Sequence, residues 1–305
     1  MHLTVFDEKL MDSVVNVEEL VSHFKKVIAS SKSLAVPPRL TASTTSSWLA
    51  AMVAVGEGFQ AVKIVGVYYS NPSRGLPLVR GLALLFDEET GEVVLAADAS
   101  PLTGWRTAAA TAVALEVLRA TEGVLGIIGA GVQARYHGRL LTRLYNYERV
   151  LVYSRSPEKA SRLAAEIGGE RASSLESLLS NSNVIVAATD SRRPVVKGSL
   201  LRPGTIVASI GAPKPVQELD AVTVERARCV LADTRRGVLE ESGDIPGTGV
   251  KIVELGEALR GEDCDHGDVA VYKSVGTALL DYAMLTYLYS RSRRGFQGQQ
   301  QAAPR

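Results

Sequence analysis

Apolar positions change period twice along the chain. Between Asn16 and Ser31, Val17, Leu20, Val21, Phe24, Val27 and Ile28 recur at helical spacing, with Asn16 and Glu19 placed as an N-cap and its partner three residues on. This predicts an amphipathic helix with one face to cover. After Pro37-Pro38 the pattern shifts to short apolar runs at Ala61–Tyr69, Val79–Phe86 and Glu92–Ala99, read as strands, the last two joined by the hairpin-type turn Asp87-Glu-Glu-Thr-Gly91. The first third is therefore expected to be α+β with an antiparallel sheet. From Thr103 an Ala-rich helix runs to about Thr121. Short apolar strands then alternate with amphipathic helices, the strands falling at Val124–Ile128, Val150–Tyr153, Val184–Ala187, Ile206–Ile210 and Cys229–Ala232. Alternation at that spacing predicts a parallel, doubly wound sheet. A last helix, about Gly276 to Tyr289, carries Leu279, Leu280, Met284, Leu285 and Leu288 and is expected to pack back on the first region.

Composition narrows the class. The 305 residues are 46% hydrophobic and 22% charged, with 34 basic against 33 acidic side chains and a net charge of +1. Such totals describe a globular protein and make no electrostatic case for nucleic acid or a membrane surface as partner. Cys229 and Cys264 have no metal-type spacing and allow at most one bridge, so a reducing interior is expected. The first ten residues carry Asp7 and Glu8 where a signal peptide needs a basic flank, and no run is apolar enough to span a bilayer, which reads as cytoplasmic. The polar, Gln-rich stretch 293–305 reads as a disordered tail.

The sharpest motif is Gly129-Ala130-Gly131-Val132-Gln133-Ala134, set between an apolar strand and a helix. Gly129 permits the tight turn, Gly131 lets the backbone approach a pyrophosphate, and Ala134 lets helix and strand pack closely. The helix N-terminus then offers free N–H groups to the phosphates. This predicts a Rossmann dinucleotide site, the plainer alternative being a strand–helix turn with no ligand. After the second strand the chain reads Ser154-Arg155-Ser156, with no carboxylate to repel a 2′-phosphate. Two hydroxyls and a guanidinium there favour NADP(H), with NAD(H) also admissible; the plainer reading is that Ser156 caps the next helix and Arg155 is solvated.

Lys63 lies mid-strand between apolar neighbours, where an ammonium must snorkel, pair with an acid, or sit in a ligand pocket with a lowered pKa. Arg106 is read in the first helical turn after Thr103, a position that opposes the helix dipole and suits a bound carboxylate. Arg39 has neither helical nor strand context. His2, His23, His137 and His266 are scattered, Asp263, Asp265 and Asp268 read as a solvated loop, and no metal site is expected. Asp281 reads as a cap or as a pair within the last helix region.

These residues together resemble the ornithine cyclodeaminase/mu-crystallin family from about Pro37 to Tyr289. The resemblance is carried by Pro38-Arg39, the Lys63 strand, Gly75-Leu-Pro77, Leu102-Thr103, Arg106-Thr-Ala-Ala109, the Gly129–Ala134 turn, Ala188-Thr189, Glu218-Leu-Asp220, Lys273-Ser-Val-Gly276 and Asp281. It implies a homodimer built through the N-terminal sheet domain, an inserted Rossmann domain, and a substrate pocket between the two. The fold expected is thus α/β, a Rossmann doubly wound parallel sheet inserted into an α+β dimerisation/substrate domain. The boundaries are 1–108 with 277–292 for the outer domain and 109–276 for the NADP-binding domain. By the same resemblance, Arg39 and Arg106 hold the substrate carboxylate and Lys63 is the acid/base at the substrate nitrogen. Thr103, Ala188 and Thr189 join the cofactor contacts, and Ser274, Val275 and Gly276 lie near the nicotinamide.

One departure bears on the reaction. Cyclodeaminase and alanine dehydrogenase members carry an Asp in the stretch before the Glu-Leu pair, and alignment on Glu218-Leu219 puts Ala212 at or near it, within Gly211-Ala-Pro-Lys-Pro-Val-Gln. Cyclodeamination must handle a second amine and release ammonia, whereas imine reduction asks for one proton donor. The expectation is an NADPH-dependent reductase of small cyclic ketimines, of the pyrroline-2-carboxylate or piperideine-2-carboxylate type. The rivals are an ornithine cyclodeaminase or alanine dehydrogenase-like enzyme, and a non-catalytic NADPH-binding protein.

Overall fold

The computed structural model describes residues 4–245 and 249–301, the side chains of 294–301 excepted. His2 and residues 302–305 of the expected tail lie outside the described residues. The chain forms two compact units: one comprises residues up to Arg106 and from Thr277 onward, the other Thr107–Gly276.

The first unit holds β1 (Thr4–Phe6), α1 (Glu8–Val14), α2 (Val17–Ala29), β2 (Leu40–Ser43), β3 (Ser47–Gly56), β4 (Phe59–Tyr68), β5 (Val79–Asp87) and β6 (Val93–Asp98). Its sheet runs β1-β6-β5-β4-β3-β2. From β2 to β6 every pair is antiparallel, but β1 joins β6 in parallel, so the sheet is mixed, not purely antiparallel as expected. The sequence reading missed β3, Ser-Trp-Leu-Ala-Ala-Met-Val-Ala-Val-Gly, because both of its faces carry apolar residues and hide the alternation. The period shows in burial alone, with Ala50, Met52 and Ala54 fully covered. α2 forms as its pattern predicts: Asn16 Oδ1 accepts the Glu19 amide at 2.9 Å, and Val17, Leu20, Val21, Phe24 and Ile28 are buried.

The C-terminal helix, Ala278–Gln301, covers this unit. Tyr287 Oη binds both the amide and the carbonyl of Asn16, and Tyr282 Oη donates to the Glu57 carbonyl. The helix runs on through residues 293–301, which were expected to be a disordered tail. α3 (Ala99–Val117) begins four residues before Thr103 and is apolar almost all round. Ala108–Ala110, Ala112, Val113, Ala114 and Leu115 are all buried, the signature of a central helix. The boundary between units falls within it.

The second unit is an eight-stranded, all-parallel sheet. In chain order it contains β7 (Val124–Ile128), α4 (Val132–Leu144), β8 (Arg149–Tyr153), α5 (Pro157–Glu166), β9 (Glu170–Arg171), β10 (Val184–Ala187), β11 (Thr205–Ser209), β12 (Cys229–Ala232), β13 (Lys251–Glu254) and β14 (Val269–Lys273). The order is β13-β12-β14-β11-β10-β7-β8-β9. The chain therefore winds outward from β7 to β9, then restarts on the other side of β7 at β10. Ligands of such sheets bind beyond the strand carboxyl ends at that reversal. Contrary to expectation, Cys229–Ala232 is not the last strand. β14 inserts between β11 and β12, fully buried despite ending in Lys273.

Cys229 and Cys264 form a disulfide that ties the start of β12 to the loop leading into β14. Cysteine usage consequently no longer supports the expectation of a reducing interior. Among the described residues no helix is long and apolar enough to cross a membrane, and no group of three or more His, Cys, Asp or Glu side chains is placed to hold a metal.

Candidate active site

In the first unit, Lys63 is flanked across the sheet by Met52 on β3 and Ala83 on β5, both buried. Its side chain enters the apolar layer and is 1% exposed, which excludes snorkelling. The ammonium finds an acceptor on the C-terminal helix: Nζ donates to Asp281 Oδ1 at 2.7 Å, with Thr103 Oγ1 at 3.4 Å. Arg106 Nε stands 2.8 Å from the same Oδ1 as an ion pair. The structure thus corrects two expectations. Asp281 pairs with β4 and α3, not within its own helix region, and Arg106 lies two turns into α3, not in its first turn. Arg39, half-buried, directly precedes β2 and acts on Lys63 through its charge.

The electrostatics follow from this crowding. Burial, and then the Arg106 charge, push the Lys63 ammonium down to about 7, while Asp281 opposes them and Arg39 adds to them. A lysine that titrates near neutrality can both give and take a proton at working pH. Arg106 Nε and Nη1 and Asp281 Oδ2 are buried without a hydrogen-bond partner, the Nε contact with Asp281 Oδ1 being an ion pair alone. Orphaned buried polar atoms are costly, and this cluster leaves donors and an acceptor available to a polar ligand.

In the second unit, Gly129 adopts φ +114°, and a Cβ there would stand 2.4 Å from the Ala188 carbonyl oxygen. Glycine alone fits both constraints. Gly131 is the N-cap of α4 and supplies no capping side chain, while a Cβ there would meet open space. The first N–H groups of a 13-residue helix consequently lack a side-chain cap, the arrangement a pyrophosphate needs. Ala134 is fully buried, Val132 is exposed, Ala130 is half-buried, and the Gln133 carbonyl accepts from His137 Nδ1. A dinucleotide phosphate fits these residues.

Beyond β8, Ser156 caps α5, its Oγ accepting the Lys159 amide at 3.3 Å and donating to Glu158. Ser154 Oγ accepts the Ser156 amide at 3.4 Å. Arg155 is 85% exposed and places Nη2 3.1 Å from Asp190 Oδ1. Asp190 escaped the sequence reading because it follows β10, 35 residues further on.

Three buried carboxylates organise the carboxyl edge of the same sheet. Glu218 accepts from the Thr189 amide and hydroxyl, Ser209 Oγ, and the Ile210 and Gly211 amides. Asp244 accepts from the Glu218 and Leu219 amides and pairs with Lys273 at 2.6 Å. Asp233 accepts from Ser274 Oγ and the Val275 and Gly276 amides, which fixes the turn after β14. Asp233 and Asp244 carry no signal in the sequence because each meets its partners across separate strand ends, whereas Glu218 stands in a stretch that carries the family resemblance. Ala188 and Thr189 sit where β10 ends, Ala188 against the glycine turn and Thr189 on Glu218.

The parallel sheet, its strand-order reversal and the uncapped glycine turn define a dinucleotide-binding α/β protein of the dehydrogenase type. The family model for the ornithine cyclodeaminase/mu-crystallin family matches residues 4–295, and the chain belongs to that family. It is 31% identical over 233 residues to the ketimine reductase mu-crystallin of Mus musculus, with 74% of each chain covered. It is also 31% identical over 265 residues to a delta(1)-pyrroline-2-carboxylate reductase of Bacillus thuringiensis subsp. konkukian, covering 79% of this chain and 80% of that one. Among solved structures, delta(1)-pyrroline-2-carboxylate reductase of Thermococcus litoralis, in complex with NADH and L-proline, superposes with a TM-score of 0.86 at 29% identity, covering 97% of this chain and 98% of that one.

Proposed function

We propose that this protein is an NADPH-dependent reductase of small cyclic ketimines carrying a carboxylate, of the pyrroline-2-carboxylate or piperideine-2-carboxylate type, and that its product is the cyclic amino acid. The chain is an oxidoreductase of its family, acting on a carbon–nitrogen bond. The observation that carries the reading is the buried Lys63, poised near neutrality in one cluster with Arg106. Arg106, with its unpartnered Nη1, and Arg39 hold the substrate carboxylate. Lys63 Nζ gives its proton to the ring nitrogen. The reduced dinucleotide, held by residues 129–134, would supply the hydride to the imine carbon. One C=N bond becomes CH–NH, and Lys63 is left neutral until it regains a proton from solvent.

The carboxyl edge of the second unit supports reduction over cyclodeamination. Ala212 brings a methyl group at or near the position where the cyclodeaminase pattern has a carboxylate, and Glu218, Asp244 and Asp233 are each committed to neighbouring donors. None of the three is free to serve a second amine.

For the cofactor, Arg155 and Ser154 at the end of β8 favour NADPH, with NADH as the weaker alternative. Ser274–Gly276, fixed on Asp233, are assigned to the nicotinamide end, and Thr103, Ala188 and Thr189 to its surroundings.

The chain is further proposed to act as a homodimer through the first unit's sheet. Leu40, Ala51, Ile64 and Leu82 are register partners across β2 to β5, and Leu40, Ile64 and Leu82 are 77%, 47% and 47% exposed. A row of apolar side chains of that kind marks an interface. Sedimentation of wild type and of Ile64→Glu checks it: dimer for the first, monomer for the second.

The decisive assay is NADPH oxidation with pyrroline-2-carboxylate, piperideine-2-carboxylate, pyruvate plus ammonia, and ornithine. Turnover confined to the cyclic ketimines supports the proposal. Ammonia release from ornithine, or NADPH binding with no turnover on any of the four, defeats it.

A further inference from the structure

The sequence offered no acid to accompany Lys63, yet the fold delivers one carboxylate to two buried cations. Lys63 on β4 and Arg106 on α3 meet the same oxygen, Asp281 Oδ1, at 2.7 and 2.8 Å. The groups facing Lys63 come from five parts of the chain: Asp281 from the C-terminal helix, Arg106 and Thr103 from α3, Arg39 from the segment before β2, and the apolar Met52 and Ala83 from β3 and β5. The charged members are two guanidiniums and one carboxylate. We infer that Asp281 is a positioning residue for the reduction: it keeps the transferable proton on Lys63 and anchors the Arg106 guanidinium from its Nε side, leaving Nη1 for the substrate carboxylate.

The inference rests on Lys63 being the proton donor. Two fixed positive charges and an apolar wall all drive a buried ammonium to lose its proton. Without Asp281, Lys63 would be neutral across the working range and could not protonate the ring nitrogen as hydride reaches the neighbouring carbon. With it, Lys63 stays partly protonated near neutral pH, weak enough an acid to remain charged and strong enough to give its proton up. The same carboxylate couples this proton to substrate binding, because freeing Arg106 Nε lets the guanidinium rotate away from the geometry that presents Nη1.

The test compares wild type with Asp281→Asn and Asp281→Glu in two measurements. The first is the pH profile of kcat/KM for ketimine reduction. The second is the titration of the Lys63 ¹³Cε resonance in lysine-labelled protein, assigned by its loss in Lys63→Arg, which needs neither substrate nor dinucleotide. Asp281→Asn is expected to move the Lys63 midpoint down by about one unit or more, so that its activity deficit grows about five- to tenfold between pH 6 and pH 8, and to raise KM. Asp281→Glu should restore most of the midpoint. An unchanged midpoint in Asp281→Asn, with activity reduced equally at every pH, would overturn the inference and leave Asp281 a structural partner. If Asp281→Asn does not fold, the smaller, uncharged Asp281→Ser makes the same comparison. Should wild type reduce no cyclic ketimine, the functional reading fails by itself, and the Lys63 titration still decides whether Asp281 holds the proton.

Discussion

Asp281 Oδ1 lies 2.7 Å from Lys63 Nζ across 218 residues of sequence, both side chains buried. Removing one member of such a pair costs more than the pair contributes, since the survivor must either stay charged in an apolar layer or change its protonation state. The two ends of the chain are therefore bound together at the point where the proposed chemistry occurs.

Lys63→Met removes the proton donor while retaining the shape of the buried stem. Ketimine reduction is expected to fall by about 10²–10⁴, with NADPH affinity unchanged by fluorescence titration. In wild type the reductive rate should decline as pH rises past about 7, because the ammonium is the competent form. The reverse reaction, which needs the free amine, should rise over the same range.

Arg155→Ala tests cofactor choice. Arg155 is exposed and its partner Asp190 equally so, and such a pair is too weak to hold the arginine from a 2′-phosphate. NADPH affinity should drop about 10- to 100-fold, as expected for one charge-assisted hydrogen bond, and NADH affinity by less than about twofold. Equal losses for both dinucleotides would remove Arg155 from the specificity reading.

His137 makes the second unit acid-sensitive. It is buried, its Nδ1 donates to the Gln133 carbonyl and its Nε2 meets Thr111 Oγ1, and burial lowers its pKa from 6.5 to about 4. The unfolded chain takes up this proton below pH 6.5 while the folded chain refuses it until about 4. Stability is thus fully present above 6.5 and falls through that window, by up to about 3 kcal/mol. His137→Gln should flatten the dependence of Tm on pH between 7 and 4, measured by calorimetry.

Glu218→Gln keeps the size of the side chain but turns one acceptor into a donor that faces amides already donating. Either the Thr189 or the Ile210 and Gly211 amides lose their partner. The expected cost is about 3 kcal/mol, read as a lower denaturant midpoint.

Much of the fold was legible because local pattern and tertiary role agreed. The Gly129–Ala134 turn was readable from its place between an apolar strand and a helix, and α2 from its cap and 3.6-residue period. β3 and β14 were not: β3 carries apolar residues on both faces although only one is covered, and β14 is buried throughout yet ends in Lys273, so neither sequence alternates. Arg106 falls in a first turn only if the helix starts at Thr103; the start signal lies earlier, with Asp98 Oδ1 accepting the Ser100 amide and Pro101 in the first turn, and α3 begins at Ala99. Lys63 stood out as an anomaly within its strand, but nothing local could say which of three fates it meets.

The sequence by itself determined the class of this protein: turn chemistry and periodicity are short-range, and they suffice for a dinucleotide-binding sheet inserted into an α+β domain. Tertiary structure alone decided the ionisation of the site. A pKa depends on which charges lie within a few ångströms in a dry environment, and Asp281, Arg106, Arg39 and Lys63 come together only when β4, α3, the start of β2 and the C-terminal helix have packed. The disulfide between Cys229 and Cys264 was decided the same way, by the insertion of β14 between β11 and β12 and the loop that leads into it.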